Sequence, residues 1–255
     1  KELSKVPRGL PCGVYRKGEW DMYEMKGRVR YSEVDSDGRL TIPALINYLQ
    51  DCCTFQSEDL GVGLPYLRER GIGWFVTSWW IHVEKLPAMG EHITVKTWPY
   101  AFRGFLGYRN FTLENEAGEV LVEVNSLWIL MEVKSGKPAR LPEKMKEVYV
   151  TEPALERDWG DRKRKPDEQA QEGYRFVVQG MHIDTNGHMN NEKYVAAAQE
   201  CLPEGFAASD IYVEYKKSAM RGDEVICVKS QRPDGMQVVL RDPEGEIFSI
   251  VEYKR

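Results

Sequence analysis

A short motif occurs twice in this chain, and its repetition constrains the fold more than any other feature of the sequence. Residues 35–40 read DSDGRL and residues 184–189 read DTNGHM, at an offset of 149 (184 − 35 = 149). Further along, Gln50 matches Gln199 at the same offset, without any gap. Self-similarity at a fixed offset is the signature of a duplicated structural unit. The chain therefore contains two copies of one supersecondary unit.

The two copies differ at the positions where chemistry could be carried. The second copy has Asn186 and His188, whereas the first copy has Asp37 and Arg39 at the matching positions. A turn alone does not require an imidazole, so its presence in only one copy is informative. We therefore expect the chemistry in the second copy.

The first copy is predicted to fold as a strand, a helix and four antiparallel strands. Residues 25–31 form an extended stretch before the motif. From Thr41 the apolar residues recur at helical spacing over about five turns, and Pro43 stands in the first turn, where its missing N–H costs nothing. The four strands are predicted at residues 73–84, 91–100, 106–113 and 119–133.

A change of composition separates the two copies. Residues 136–172 are rich in proline and charge, with a basic run at residues 157–165, and are predicted to form a linker with short helices around residues 142–148. We assign residues 1–135 to the first unit and residues 173–255 to the second.

The second copy repeats the order of the first with a shorter connection. A strand is predicted at residues 174–180, a helix at 192–202, and strands at 210–217, 224–231, 236–241 and 247–254. Gly222 matches Gly90 at an offset of 132, so the second copy has lost about 17 residues relative to the first (149 − 132 = 17). We expect this loss mostly from the connection at residues 61–71.

This order of elements predicts the architecture. One helix followed by antiparallel strands can bury its apolar stripe only if the sheet wraps around it. Two such units can join edge to edge into one long sheet, which removes an exposed edge strand from each. We therefore predict an α+β fold of two tandem units, each a helix wrapped by an antiparallel sheet.

Composition and charge argue against several classes of protein. The formal charge is −5, from 35 basic and 40 acidic residues, so nothing global predicts nucleic-acid binding. We find no apolar run of membrane-spanning length and no signal-peptide pattern at the start of the chain, so we expect a cytoplasmic protein without a membrane span. The five cysteines and four histidines lack metal-binding spacings, so we expect reduced thiols, no metal and no cofactor.

The turn before the second helix could carry acyl chemistry. Asp184, Asn186 and His188 are alternate residues of one short segment, so their side chains could share a face. A helix start offers unpaired N–H groups to an oxyanion, His suits acid–base work near neutral pH, and Asp can fix its tautomer. The alternative is that Asp184 and Asn186 are ordinary turn and capping residues.

The same turn carries a family resemblance. Residues 184–194 read DTNGHMNNEKY and resemble the signature D-x-N-x-H-x-N-N-x-K-Y of the plant and bacterial acyl-acyl carrier protein thioesterases. Residues 29–41 resemble the N-terminal block of that family, and residues 213–217 resemble its E-Y-R-R segment. The resemblance covers nearly the whole chain from about residue 22.

The resemblance implies a fold, a reaction and a set of residues. The fold is the tandem hotdog, with the second unit catalytic. The reaction is hydrolysis of the thioester that joins a fatty acyl chain to its carrier protein, which ends chain elongation and releases free fatty acid. The active-site residues are Asp184, Asn186 and His188. Our mechanistic hypothesis is that Asn186 and backbone N–H groups at the helix start bind the thioester oxygen, while His188, oriented by Asp184 or a neighbour, activates water.

One departure from the family concerns the general base. After E-Y-R-R the family has a carboxylate, followed in plant members by a cysteine, whereas this chain has Ser218 and Ala219. A cysteine nucleophile at this site is therefore excluded. Ser218 is retained as a catalytic candidate that could hold a water molecule, and Glu214 or Glu200 could supply the missing carboxylate.

The resemblance also implies binding sites for the acyl tail and the carrier. The tail is expected in the first unit, where about a third of the large aromatic side chains should line an apolar tunnel. These candidates are Trp74, Phe75, Trp79, Trp80, Phe102 and Phe105. Because the carrier is acidic, Lys216, Lys217, Arg221 and the basic linker are candidate docking residues, although a charged run is more often a solvated surface.

Other functions stay open at this point. An acyl-CoA thioesterase, a dehydratase of the same fold and a non-catalytic acyl-binding protein are each compatible with a hotdog unit that carries His188. The tandem copies satisfy the pairing of hotdog units within one chain, and a homodimer is left open.

Overall fold

The fold is built from ten strands and four α-helices in the parts of the chain that the structure, a computed structural model, describes: residues 22–161, 163–167 and 170–255. The first unit comprises β1 (Tyr23–Arg28), α1 (Ile42–Asp59), α2 (Leu64–Arg70), β2 (Ile72–Val83), β3 (His92–Arg103), β4 (Leu106–Asn115) and β5 (Val120–Glu132). After α3 (Glu143–Val148) come β6 (Gln171–Val177), α4 (Asn191–Gln199), β7 (Asp210–Tyr215), β8 (Glu224–Arg232), β9 (Gly235–Arg241) and β10 (Ile247–Lys254). The start of the chain, on which the absence of a signal-peptide pattern was judged, lies outside the described part.

The long helix α1 starts and ends where its sequence predicts. Thr41 caps it by accepting a hydrogen bond from the backbone N–H of Ala44 (3.3 Å), and Pro43 occupies the first turn. Its buried face includes Leu45 and Leu49, which are fully enclosed. At about 25 cal/mol per Å² of apolar surface, burying each such side chain stabilises the fold by roughly 2 kcal/mol.

The ten strands form one sheet, and each unit contributes five strands in the equivalent order from the outer edge to the centre. The strand order is β1-β3-β4-β5-β2-β7-β10-β9-β8-β6, and β2 pairs with β7 in antiparallel register at the centre. In this register Trp80 faces Tyr212, which is its equivalent at the offset of 132, so a pseudo-twofold axis passes through this pair. The predicted α+β fold of two tandem hotdog units is confirmed.

The difference between the two units extends beyond the connection that the sequence suggested. Residues 51–77 lie between the matched positions Gln50 and Ser78 of the first unit, whereas only residues 200–209 lie between their counterparts in the second. The loss therefore reaches past residues 61–71 on both sides. The second unit lacks equivalents of the second half of α1, of α2 and of the first residues of β2.

The segment after α3 crosses the face of the sheet opposite α1. The indole N–H of Trp98 donates to the carbonyl of Pro153 (2.8 Å) in the first unit. Further along, Arg157 pairs with Glu123 (2.6 Å). The same segment then reaches the second unit, where Arg164 pairs with Glu252 (2.6 Å). The described arginines of the basic run therefore tie the two units together. Its Arg162 lies outside the described residues.

A histidine stands where the two units join. His82 on β2 contacts Asp210 on β7 through Nδ1 (2.8 Å) and Glu84 through Nε2 (2.9 Å). Burial lowers the pKa of His82, but the hydrogen bonds to Glu84 and Asp210 raise it by more, so the net shift is upward, while nearby Arg157 opposes it. The imidazole of His82 therefore links the two units through one carboxylate of each.

This linkage predicts a pH dependence of stability. The pKa of His82 is raised in the folded state, so its protonation stabilises the fold. This contribution to the free energy of unfolding is fully present below about pH 6.5 and is lost as the pH rises through the folded-state pKa. We expect the urea midpoint of the wild type to fall over that range relative to His82→Gln, which keeps a polar side chain without titrating there. Parallel pH profiles for the two proteins would refute this role.

In the described parts of the chain, every helix is too short or too polar to traverse a lipid bilayer.

Candidate active site

The turn before α4 is shaped by one carboxylate. Oδ1 of Asp184 accepts hydrogen bonds from the backbone N–H groups of Asn186 (2.8 Å) and His188 (3.2 Å). The N–H of Asp184 donates to the carbonyl of His188 (2.8 Å), which closes the turn. Gly187 has φ +81°, a conformation that favours glycine over any residue with a Cβ.

The first copy contains the same turn without the imidazole. Oδ1 of Asp35 accepts from the N–H groups of Asp37 (3.0 Å) and Arg39 (2.9 Å), as Asp184 does in the second copy. The contacts of Asp184 are thus those that the fold requires in both copies. Nothing in them shows Asp184 holding the ring of His188, so its predicted role in orienting the imidazole stays a prediction.

His188 lies where the two units meet. Its backbone forms an isolated bridge with Met220, and its ring is half-buried. The ring centroid lies 6.3 Å from that of Phe75 on β2. Among the described residues, neither ring nitrogen of His188 has a hydrogen-bond partner, so both are available to a bound molecule. The imidazole of the second unit therefore faces a strand of the first.

A cavity of about 530 Å³ lies beneath this contact. Most of its walls come from α1, α2, strands β2 to β5 and the residues that flank these elements in the first unit. Tyr149, which follows α3, also lines it, and the second unit contributes the turn at residues 185–188. The exposed residues of its lining mark the mouth: Leu64, Arg68, Gly71, Val133, Lys134, Thr185 and Asn186. A volume of this size suits an extended small ligand. His188 and Asn186 share one cavity with the interior of the first unit.

The predicted aromatic residues divide into two groups. Trp74 and Phe102 line the cavity together with Phe75. Trp79 is fully buried in the core between Phe111 and Trp128, with ring centroids 5.6 Å from each. It does not line the cavity.

Two further predicted aromatic residues also lie away from the cavity. Trp80 packs on the opposite face of the sheet, against Tyr212, at a centroid distance of 5.1 Å. Phe105 is 41% exposed and lies outside the cavity lining. The structure thus brings half of the predicted tail-binding aromatics to the cavity and places the other half elsewhere.

The predicted polar candidates near the second unit also lie apart from the cavity. Ser218 is exposed and does not line the cavity. Glu200 and Glu214 do not line it either. No carboxylate lines the cavity in the described part of the chain. His188 is therefore the lining side chain best suited to act as a base near neutral pH.

The predicted carrier-docking cations are also outside the lining. Lys216 pairs with Glu214 (3.0 Å), and Lys217 pairs with Asp242 (3.4 Å) and Glu246. Arg221 is exposed beside Gly180, and its docking role stays a prediction with those of the two lysines.

Sequence reasoning missed a polar group inside the cavity. Arg109 on β4 is 8% exposed and donates to Gln56 and to Oγ1 of Thr97 (2.9 Å). The hydroxyl of Tyr149 contacts that of Ser57 at 2.7 Å, and burial raises the pKa of the Tyr149 phenol, which keeps it neutral. Alternation along β4 could indicate that Arg109 points inward, but the sequence alone does not show a cavity there.

The family is decided by comparison with known proteins. The family model for the acyl-ACP thioesterase N-terminal domain matches residues 20–149, and the model for the C-terminal domain matches residues 164–247. This chain belongs to the acyl-ACP thioesterase family. The resemblance at residues 184–194 is therefore part of a match that extends over both units.

Curated relatives are similar over about half their own length. A chloroplastic acyl-[acyl-carrier-protein] hydrolase of Cuphea viscosissima is 26% identical over 227 residues, which are 81% of this chain and 54% of the relative. A chloroplastic palmitoyl-acyl carrier protein thioesterase of Gossypium hirsutum is 26% identical over 76% of this chain and 51% of its own. Because these names place the relatives in chloroplasts, the cytoplasmic location of this chain stays a prediction.

Solved structures share the fold. An acyl-ACP thioesterase from Bacteroides thetaiotaomicron superposes with a TM-score of 0.84 at 20% identity, over 91% of this chain and 97% of that one. The 12:0-ACP thioesterase from Umbellularia californica gives a TM-score of 0.80 at 20% identity, over 91% of this chain and 96% of that one. The tandem architecture is thus common to the three chains.

Proposed function

We propose that this protein hydrolyses the thioester of fatty acyl-acyl carrier protein to free fatty acid and carrier protein. The observation that carries the proposal is the shared cavity: most of its walls belong to the first unit, and His188 and Asn186 of the second unit also line it. Such a cavity can hold an acyl tail with its thioester at the imidazole. Hydrolases of acyl-carrier thioesters are among the relatives of this chain by name.

His188 would act first as a base and then as an acid. It accepts a proton from a water molecule whose oxygen bonds to the thioester carbonyl carbon, which gives a tetrahedral oxyanion. The carbon–sulfur bond then breaks, and the sulfur leaves with the proton that the imidazolium returns. Carboxylic acid and free thiol are the products, and no other reactant is required. The hydroxyl of Ser218 is not a base, so the role predicted for it is to hold the water molecule. That role stays a prediction.

Asn186 would hold the oxyanion through its side-chain amide. The backbone N–H groups of Asn186, Gly187, His188 and Met189 all donate within the fold, to Asp184 or to the carbonyl of Ala219. These four N–H groups of the turn are therefore already engaged. The binding of the thioester oxygen by N–H groups at the start of α4 itself stays a prediction. The amide of Asn186 lies 3.5 Å from Oδ2 of Asp184, a long contact that a bound oxygen could displace.

The competing activities separate by substrate. We expect free fatty acid from a saturated acyl-carrier substrate, at a higher kcat/KM than from the same acyl group on coenzyme A, as measured by mass spectrometry of the released acid. A reversed preference would indicate an acyl-CoA thioesterase. Retention of the acyl group without turnover would indicate a binding protein, and a dehydratase would not release acid from a saturated chain.

A further inference from the structure

The cavity carries positive charge without a carboxylate to balance it. Arg68, Arg109 and Lys134 belong to its lining, and no Asp or Glu does within the described residues. Cations gathered in a concave site with low-dielectric walls concentrate anions. The cavity therefore favours a ligand that is apolar over much of its length and negatively charged somewhere along it.

The three cations differ in what holds them. Arg109 is buried, donates hydrogen bonds to Gln56 and Thr97, and lies 5.7 Å from the ring of Tyr149. Part of its capacity to bind a ligand is therefore already used. Arg68 and Lys134 are exposed at the mouth, and neither forms an ion pair with any described residue. These two are available to a ligand.

Three neighbouring cations of the same region are already engaged. Arg70 pairs with Glu69 (3.2 Å), Lys146 pairs with Glu143, and Lys144 donates to the carbonyl of Gly61 (2.9 Å). Arg68 and Lys134 thus lack the compensating contacts that these three neighbouring cations have.

The backbone brings Arg68 and Lys134 to one place. The N–H of Gly71 donates to the carbonyl of Arg68 (3.0 Å), and the N–H of Val133 donates to the carbonyl of Gly71 (2.8 Å). Lys134 follows Val133 directly, so both cations flank Gly71. From there β2 leads to Phe75, about 13 Å away at the usual rise of a strand. Phe75 is the residue whose ring meets His188.

We propose that Arg68 and Lys134 form a phosphate-binding site for the phosphodiester that joins the thiol arm of the carrier to the carrier protein. This inference rests on the proposed function. A thioester at His188 would place the flexible arm at the mouth, with its phosphodiester on the side of Gly71. The planar guanidinium of Arg68 can donate two parallel hydrogen bonds to one phosphate group, and Lys134 adds a point charge.

The test compares two small substrates with the same acyl group. One is the acyl thioester of pantetheine, and the other is the acyl thioester of 4′-phosphopantetheine, which adds only the phosphate. We expect the wild type to prefer the phosphorylated substrate in kcat/KM. In the double variant Arg68→Gln/Lys134→Gln, the ratio of kcat/KM for the phosphorylated substrate to that for acyl-pantetheine should fall about tenfold. The fall should come mostly from a higher KM for the phosphorylated substrate, and the rate on acyl-pantetheine should be kept.

The matched control removes two cations elsewhere. Lys26→Gln/Lys85→Gln changes the net charge equally, but both lysines are exposed outside the cavity lining, so this variant should keep the phosphate preference. The proposal fails if Arg68→Gln/Lys134→Gln keeps the preference, if it loses both rates equally, or if the control loses the preference instead. Absence of hydrolysis of either substrate by the wild type would refute the proposed function itself. Coenzyme A thioesters, which carry a pyrophosphate on the same arm, show whether the carrier protein adds recognition beyond this group.

Discussion

Replacing His188 with alanine should lower kcat on an acyl-carrier thioester by about 10²–10⁴-fold and leave KM close to the wild-type value. The reason is that the imidazole is the only side chain in the described cavity lining that is suited to take a proton from water near neutral pH. Its ring makes no hydrogen bond within the described chain, so removing it should cost little stability. Steady-state kinetics and a melting curve of the same preparation separate the two effects.

A second histidine provides the control. His92 on β3 is exposed and lies outside the cavity lining, so His92→Ala should retain the activity of the wild type. Near-normal hydrolysis by His188→Ala would remove this residue from the mechanism. In that case the water would have to be activated by a group that does not line the cavity, such as Glu200 or Glu214.

Replacing Trp79 with alanine should lower the free energy of unfolding by about 3–5 kcal/mol, a typical cost for truncating a fully buried aromatic residue. Trp79 has no exposed surface and packs against Phe111 and Trp128 in the main core. Urea unfolding followed by fluorescence and circular dichroism measures this loss. Its magnitude is a large part of the total stability of an ordinary domain.

The comparison with Trp74 decides whether Trp79 serves the core or the ligand. Trp74 is half-buried and lines the cavity, so Trp74→Ala should cost less stability and should change the preference among acyl chains of different lengths. Trp79→Ala should leave that preference unchanged in the fraction that remains folded. A stable Trp79→Ala protein with an altered chain-length profile would show that the tail reaches the core side of β2.

An irregularity in β2 explains why the sequence could not separate these tryptophans. With strict alternation, Trp74 and Trp80 would share a face and Trp79 would lie on the other. The register of β2 against β5 shifts between Val76 and Ser78, so Trp79 joins Val76 in the core and Trp80 turns to the opposite face. A β-bulge reverses the facing of every later residue, and apolar side chains on both faces hid it from pattern reasoning.

The fold was largely predictable because its signals are local and repeated. The duplicated turn, the capped periodicity of α1 and the hairpin residues mark most of the elements, and the duplication supplies the pairing of units. The helix α2 was missed because it is short, lies between glycines, and is held by packing of Tyr66 and Leu67 rather than by its own propensity.

The candidate site was predictable only in part. The motif at residues 184–188 identifies Asn186 and His188, because the two copies can be compared within one sequence. Arg68 and Lys134 are far apart in the sequence and meet only because the end of β5 pairs beside the start of β2. Such a juxtaposition depends on long-range register, for which the chain offers no local signal.

The segment that the second unit lacks is also the segment that encloses space. Residues 53–75 contribute a large part of the cavity wall, and they fall within the stretch 51–77, whose counterpart in the second unit is only 200–209. The junction between β2 and β7 begins only after them, at Ser78. The volume of the cavity and the continuity of the sheet therefore depend on different stretches of the chain. Insertions or deletions in residues 51–77 can change the size of the cavity while the β2–β7 pairing and the turn that carries His188 stay in place.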